Sequence, residues 1–99
     1  MDTEKNVIDA RDLLHADEAI LIDVRSEEQF EKKNVAGSVN IPLSRISQEI
    51  PNLDNKKTHL LICHDGALSS QALKILEACQ IKAHVIRGGL KDWIQIIGL

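Results

Sequence analysis

Short apolar runs rich in β-branched residues alternate along this chain with stretches of helical periodicity. The clearest runs are residues 19–24 (Ala-Ile-Leu-Ile-Asp-Val) and 59–63 (His-Leu-Leu-Ile-Cys), which have the composition of strands buried on both faces. Strands that are regularly followed by helices are typical of a parallel sheet. We therefore predict an α/β fold with a central, mostly parallel β-sheet and helices on both faces.

The remaining elements are predicted from caps, turns and periodicity. Further strands are expected at residues 7–8, 37–41 and 82–86, and helices at caps formed by Asp9, Ser26 (with Gln29 three residues later), and Ser44 or Ser47. A longer helix after Cys63 places its apolar residues on one face: Leu68, Ala72, Ile75, Leu76 and Cys79. A closing helix follows the turn at Gly88-Gly89 and carries Leu90, Trp93, Ile94 and Ile97.

Length and charge exclude several classes of protein. With 99 residues the chain predicts one domain, spanning 1–99, and its net charge of -3 with 2% aromatic residues disfavours nucleic-acid binding. No apolar run approaches the roughly 20 residues of a membrane span, and the polar residues 1–5 do not begin a signal peptide. We expect a cytoplasmic protein with two reduced thiols.

Cys63 is the cysteine whose position suggests chemistry. It ends a predicted buried strand, precedes Gly66 and a helix, and so lies where ligands bind in parallel sheets. Backbone N–H groups and the helix dipole at such a site favour a thiolate, which is the nucleophilic form of cysteine. Gly66 permits the positive φ that curls a loop around an anion. The alternative is that Cys63 is only a small buried residue.

Three motifs in order carry a resemblance to a known family. They are Asp23-Val24-Arg25 followed by Phe30 and the run from Gly37 to Pro42, the loop from Cys63 to Ser69, and Gly88-Gly89 followed by Trp93. With these motifs the chain resembles the single-domain rhodaneses, a family of sulfurtransferases with a rhodanese-like α/β fold.

The resemblance implies a two-step transfer in which Cys63 becomes a persulfide. The donor is a small thiosulfate-like molecule or a protein persulfide, and the acceptor is a thiol, cyanide or a sulfur-relay protein. No cofactor or metal is implied. Backbone N–H groups of the loop are expected to bind the anionic sulfur, and the loop consists of His64, Asp65, Gly66, Ala67, Leu68 and Ser69.

Departures from the family pattern weaken the expected binding of a dianion such as thiosulfate by the Cys63 loop. Leu68 stands where an arginine is common, and Asp65 adds repulsion, so thiosulfate turnover is expected to be slow. Arg87, after the last strand, either supplies the missing cation or is an exposed loop residue. Arg25 either binds an anion or forms a structural ion pair, with Glu28 as one candidate partner.

Other polar residues near the thiol have two interpretations each. A protonated His64 would favour the Cys63 thiolate, or its ring points to solvent. Ser69 and Ser70 cap the helix or place hydroxyls near the sulfur. Cys79 is predicted as core rather than as a resolving thiol. Three scattered histidines show no metal-ligand spacing: His15, His59 and His84.

Other functions make different demands on these residues. A Cys-x₅-Arg phosphatase would need arginine at position 69, which is serine, and a thioredoxin-like protein would need Cys-x-x-Cys. The main alternative is a catalytically weak rhodanese-like module for protein binding or regulation. The apolar tail 93–99 either packs on the sheet or forms a dimer patch, so a monomer or a weak homodimer is expected.

Overall fold

The computed structural model describes residues 3–99 and contains a five-stranded sheet in the order β1-β5-β4-β2-β3. Every neighbouring pair of strands is parallel. The strands are β1 (Glu4–Lys5), β2 (Ala19–Asp23), β3 (Val39–Asn40), β4 (Thr58–Ile62) and β5 (Ala83–Ile86). The predicted α/β fold with a parallel sheet is confirmed.

Helices cover both faces of this sheet, as predicted. They are α1 (Val7–His15), α2 (Glu27–Lys32), α3 (Ile46–Glu49), α4 (Ala67–Ala78) and α5 (Gly89–Ile96), with 3₁₀ turns at Leu43–Arg45 and Ile50–Asn52. Buried residues of α3 and α4 pack on one face, and buried residues of α1 and α5 pack on the other. Helix α2 has no buried residue and lies at the periphery.

Strand β4 shows how the core is divided. Its neighbours are β2, with Leu21 opposite Leu60, and β5, with Val85 opposite Leu61. Leu60 belongs to the core beneath α1 and α5, whereas Leu61 and Cys63 belong to the core beneath α3 and α4. This alternation follows from the two-residue period of a strand. It places the Cys63 side chain on the α4 side of the sheet.

The predicted strand at residues 7–8 is wrong. Both residues lie in the first turn of α1, and β1 is Glu4–Lys5 instead. The predicted cap Asp9 is also wrong: the cap is Asn6, three residues earlier, whose side chain accepts a hydrogen bond from the Asp9 backbone N–H at 2.8 Å. An asparagine cap satisfies a free amide of the first turn, and it decides the helix start here against the β-branched Val7-Ile8 pair.

Of the other predicted helix caps, Ser26 is confirmed, and Ser44 and Ser47 are wrong. Ser26 caps α2 as predicted, accepting a hydrogen bond from the Gln29 N–H at 3.2 Å. Neither Ser44 nor Ser47 caps a helix, because the 3₁₀ turn Leu43–Arg45 runs directly into α3 without a side-chain cap. The strand expected at residues 37–41 is reduced to Val39–Asn40, because Gly37 has a positive φ of 84° in the preceding turn.

Cys79 is exposed, which contradicts its prediction as a core residue. Helix α4 ends at Ala78, and the Cys79 N–H donates to the Leu76 carbonyl at 3.0 Å in a tighter turn. That turn takes the side chain out of the apolar face.

In the tail, Trp93 is buried as predicted, whereas Ile96 and Leu99 remain 55% and 62% exposed. A weak homodimer through these side chains stays a prediction.

A buried ion pair joins the carboxyl end of β2 to the segment that follows it. The Arg25 guanidinium donates from Nη2 to Asp23 Oδ2 at 2.7 Å and to the Lys33 carbonyl at 2.6 Å. The Asn40 side chain donates to the carbonyls of Asp23 and Arg25. The predicted partner Glu28 is wrong. Arg25 pairs with Asp23, which is buried as Arg25 is, whereas Glu28 is exposed and pairs with Lys32.

Within residues 3–99, no helix has the length and apolar composition needed to cross a membrane.

We predict that Arg25→Met lowers the free energy of unfolding by about 3–5 kcal/mol, because it leaves the Asp23 carboxylate buried without its cation. Urea denaturation measures this change. The matched control is Arg45→Met, since Arg45 pairs with Glu27 at 3.0 Å on the surface, and it should cost less than about 1 kcal/mol. Equal losses in the two variants would contradict a structural role for the buried pair.

Candidate active site

The candidate site is the loop that connects β4 to α4. Cys63 follows the last residue of β4 and is only 1% exposed, so water has little access to its thiol. Gly66 precedes α4 with a φ of 108°, the positive value that the sequence predicted for it. An added Cβ at Gly66 would meet no atom within 4 Å, so backbone conformation rather than space favours glycine here.

Two backbone amides of the loop point at the Cys63 sulfur. The Gly66 N–H donates to Sγ at 3.1 Å, and the Ser69 N–H donates at 3.4 Å. Ser69 lies in the first turn of α4, where backbone amides have no partner within the helix. The arrangement is an anion-binding nest built from backbone, which stabilises negative charge on sulfur.

The Ser69 hydroxyl adds a third polar contact to the sulfur. Its Oγ lies 3.4 Å from Cys63 Sγ, and the whole residue is buried. The Ser69 hydroxyl also lies 3.2 Å from the Gly66 carbonyl, which further accepts hydrogen bonds from the N–H and the hydroxyl of Ser70, at 3.1 and 2.8 Å. The single Ser69 hydroxyl proton serves either that carbonyl or the sulfur, because both lie within hydrogen-bond distance. Capping by either serine is not observed, because Gly66 occupies the cap position.

The predicted role of the loop amides is only partly correct. Of the six amides from His64 through Ser69, those of Gly66 and Ser69 donate to the sulfur, and the other four do not. The Ala67 N–H donates instead to Asp65 Oδ1 at 3.1 Å, closing a short turn within the loop. Aspartate often binds the backbone amide two residues later in such turns.

Helix α5 anchors the same loop from the neighbouring strand connection. The Leu90 N–H donates to the Cys63 carbonyl at 2.7 Å, and the Lys91 N–H donates to the His64 carbonyl at 3.2 Å. Gly89, with a φ of 63°, lies so close that an added Cβ would be 2.5 Å from the Cys63 carbonyl oxygen. Sequence reasoning missed this contact. Its signal is the Gly88-Gly89 pair, which predicts a turn and forms part of the third motif but does not by itself show that Gly89 contacts the thiol loop.

The predicted cations do not contact the sulfur. Arg25 is buried in its pair with Asp23, and Arg87 Nε lies 3.6 Å from Glu4 Oε1, with the Arg87 side chain 63% exposed. Side chains exposed at the loop are those of His64, Asp65, Ala67 and Leu68. Within residues 3–99, no three histidine, cysteine or acidic side chains are grouped as metal ligands.

Comparison with known proteins gives consistent results. A family model described as "Rhodanese-like domain" matches residues 6–96. The Escherichia coli protein named thiosulfate sulfurtransferase PspE is 37% identical over 73 residues, covering 72% of this chain and 70% of that protein. The Bacillus subtilis protein named putative sulfur carrier protein YrkF is 30% identical over 80 residues. The match covers 79% of this chain but only 43% of YrkF.

A solved structure shares the fold at lower identity. The human single-domain sulfurtransferase TSTD1 superimposes with a TM-score of 0.89 at 21% identity. The superposition covers 97% of this chain and 98% of that one.

We predict that Gly89→Ala displaces the thiol loop, because its Cβ would clash with the carbonyls of Cys63 and His64. The control is Gly37→Ala, which carries a similar positive φ of 84° with no atom within 4 Å of the new Cβ. Both variants should lose about 1–2 kcal/mol from the left-handed backbone, and Gly89→Ala a further roughly 1–3 kcal/mol. Denaturation and the amide NMR shifts of residues 63–69 measure this. Equal losses with unchanged shifts would contradict the anchor.

Proposed function

The chain belongs to the rhodanese-like family of sulfurtransferases, and we propose that Cys63 is the residue that carries the transferred sulfur, as a persulfide, within one domain. One observation supports this assignment above others: the amides of Gly66 and Ser69 both donate to Cys63 Sγ. A buried thiol surrounded by donors can hold negative charge through a reaction, whereas a cysteine that only fills the core needs no such donors.

The proposed first step is a displacement at sulfur. The Cys63 thiolate forms a bond to the outer sulfur of the donor as the bond between that sulfur and the rest of the donor breaks. The donor fragment leaves with the electron pair, as sulfite from thiosulfate or as a thiolate from a persulfide. Negative charge leaves Cys63 Sγ in this step, so the amides of Gly66 and Ser69 contribute before it, by favouring the thiolate that attacks.

The second step returns Cys63 to its thiolate. A nucleophilic acceptor, either a thiolate or cyanide, attacks the outer sulfur of the persulfide, and the bond between the two sulfurs breaks. Cys63 keeps the electron pair, and its amide donors from Gly66 and Ser69 again hold the charge. We propose a sulfur-relay protein as one such acceptor, because one relative of this chain is named a putative sulfur carrier protein.

A reducing compartment such as the cytoplasm suits this chemistry. Both cysteines are free, and Cys79 is exposed, so an oxidising environment would offer it intermolecular disulfides. Cys63 must also return to a thiolate after each transfer.

We predict that Cys63→Ser abolishes persulfide formation, because a hydroxyl cannot accept the sulfur. Intact-protein mass spectrometry after incubation with a sulfur donor should show one added sulfur atom on the wild type and none on the variant. Cys79→Ser is the matched control and should load sulfur normally, since Cys79 lies on the far end of α4. Peptide mapping of the wild type that places the added sulfur on the exposed Cys79 instead of Cys63 would refute the assignment. A folded wild type that no donor loads would favour the binding module.

We also predict a preference among donors in single-turnover loading of Cys63. Thiosulfate should load roughly tenfold more slowly than a persulfidated protein at equal concentration, because the loop offers no arginine or lysine and bears the Asp65 carboxylate. Quenched-flow mass spectrometry gives both rates. Faster loading by thiosulfate would contradict the electrostatic argument while leaving the persulfide intact.

A further inference from the structure

We propose that Asp65 sets the donor selectivity of the Cys63 loop. It disfavours small dianionic donors and leaves the thiol to sulfane sulfur carried on a singly charged or uncharged group, such as a persulfide on a protein cysteine. The inference deepens the sulfurtransferase function proposed above and rests on it. Slow thiosulfate turnover has two predicted causes, the missing loop arginine and Asp65. The selectivity is assigned here to the Asp65 side chain.

The hydrogen bond from Ala67 to Asp65 is the first observation. Ala67 is the first residue of α4, and its N–H belongs to the amides at a helix start that bind anions when they are free. Here that amide donates to Asp65 Oδ1 at 3.1 Å. The carboxylate of the protein itself thus occupies a donor that an anionic substrate would otherwise use.

The charge of Asp65 is the second observation. Asp65 is exposed and directly precedes Gly66, whose N–H donates to Cys63 Sγ at 3.1 Å. Residues 64–69 contain neither lysine nor arginine, so no cation within the loop offsets this carboxylate. An anion that approaches the loop therefore experiences the field of this exposed carboxylate.

The repulsion by Asp65 is larger for a dianionic donor such as thiosulfate than for a singly charged persulfide. Thiosulfate is a dianion and leaves as the sulfite dianion, so two negative charges stay beside Asp65 throughout the step. A deprotonated persulfide brings one charge and leaves as a thiolate with one charge. The repulsion from a fixed carboxylate doubles with the charge of the donor, and selectivity follows from that difference.

The experiment separates the charge of Asp65 from its hydrogen bond. Asp65→Asn removes the charge and keeps an oxygen that accepts from the Ala67 N–H, whereas Asp65→Ala also frees that amide. The matched control is Asp54→Asn, because Asp54 Oδ1 accepts from the Lys56 N–H at 2.9 Å in the same kind of exposed turn. All variants carry Cys79→Ser, so that Cys63 is the only thiol.

The first readout is the alkylation of Cys63 by iodoacetate, which is anionic, and by iodoacetamide, which is neutral. Both reagents need the thiolate, so the ratio of their rate constants in one variant cancels the thiolate fraction and reports the local field. All variants are measured at the same pH. The second readout is single-turnover loading of Cys63 from thiosulfate and from a persulfidated protein.

We expect the iodoacetate-to-iodoacetamide ratio to rise about two- to fivefold in Asp65→Asn, as for the loss of an exposed like charge, and further in Asp65→Ala. Loading from thiosulfate should rise by roughly the square of that factor, because its charge is twice as large. Loading from the persulfidated protein should rise less. Asp54→Asn should leave the ratio and both loading rates near the values of the parent protein.

An unchanged ratio in both Asp65 variants would overturn the proposal, and so would an equal rise in Asp54→Asn, which would trace the effect to net charge. Failure of the proposed function has a different signature. If Cys63 never gains sulfur from either donor, the persulfide assignment fails, while the alkylation ratio still shows whether Asp65 controls access by anions.

Discussion

The parallel pairing of β4 between β2 and β5 is the constraint from which the site follows. Leu60, Leu61 and Ile62 are fully buried, so this strand has both faces in the core and both edges in the sheet. Parallel neighbours bring the carboxyl ends of all strands to one edge, where loops are free to form a site. The buried pair of Asp23 and Arg25 and the thiol of Cys63 both lie at that edge because of this geometry.

Backbone and side chains have separate tasks at the thiol. The amides that bind sulfur belong to the backbone of Gly66 and Ser69. The side chains of Asp65 and Leu68 are exposed beside them and do not bond to the sulfur, so they act through the charge and polarity that they present at the loop. Changes at these exposed positions can therefore alter the donor without dismantling the chemistry.

The sequence predicted the elements whose burial is continuous and missed features that depend on one local contact. Residues 19–24 and 59–63 are apolar apart from Asp23 and His59, and the fold agrees with them closely. At Val7 a single cap from Asn6 overrides the β-branched pattern. The bond from Ala67 to Asp65 and the contact of Gly89 with Cys63 leave no periodic trace, because each depends on three-dimensional proximity.

The anchoring of the thiol loop by α5 also fixes an order of assembly. The carbonyls of Cys63 and His64 find their donors in Leu90 and Lys91, which are synthesised well after β4 and α4. Until β5 and α5 have joined the sheet, those carbonyls must bond to water and the loop lacks its final shape. A nascent chain thus presents an unorganised thiol, and the arrangement of donors around Cys63 is complete only with the last helix.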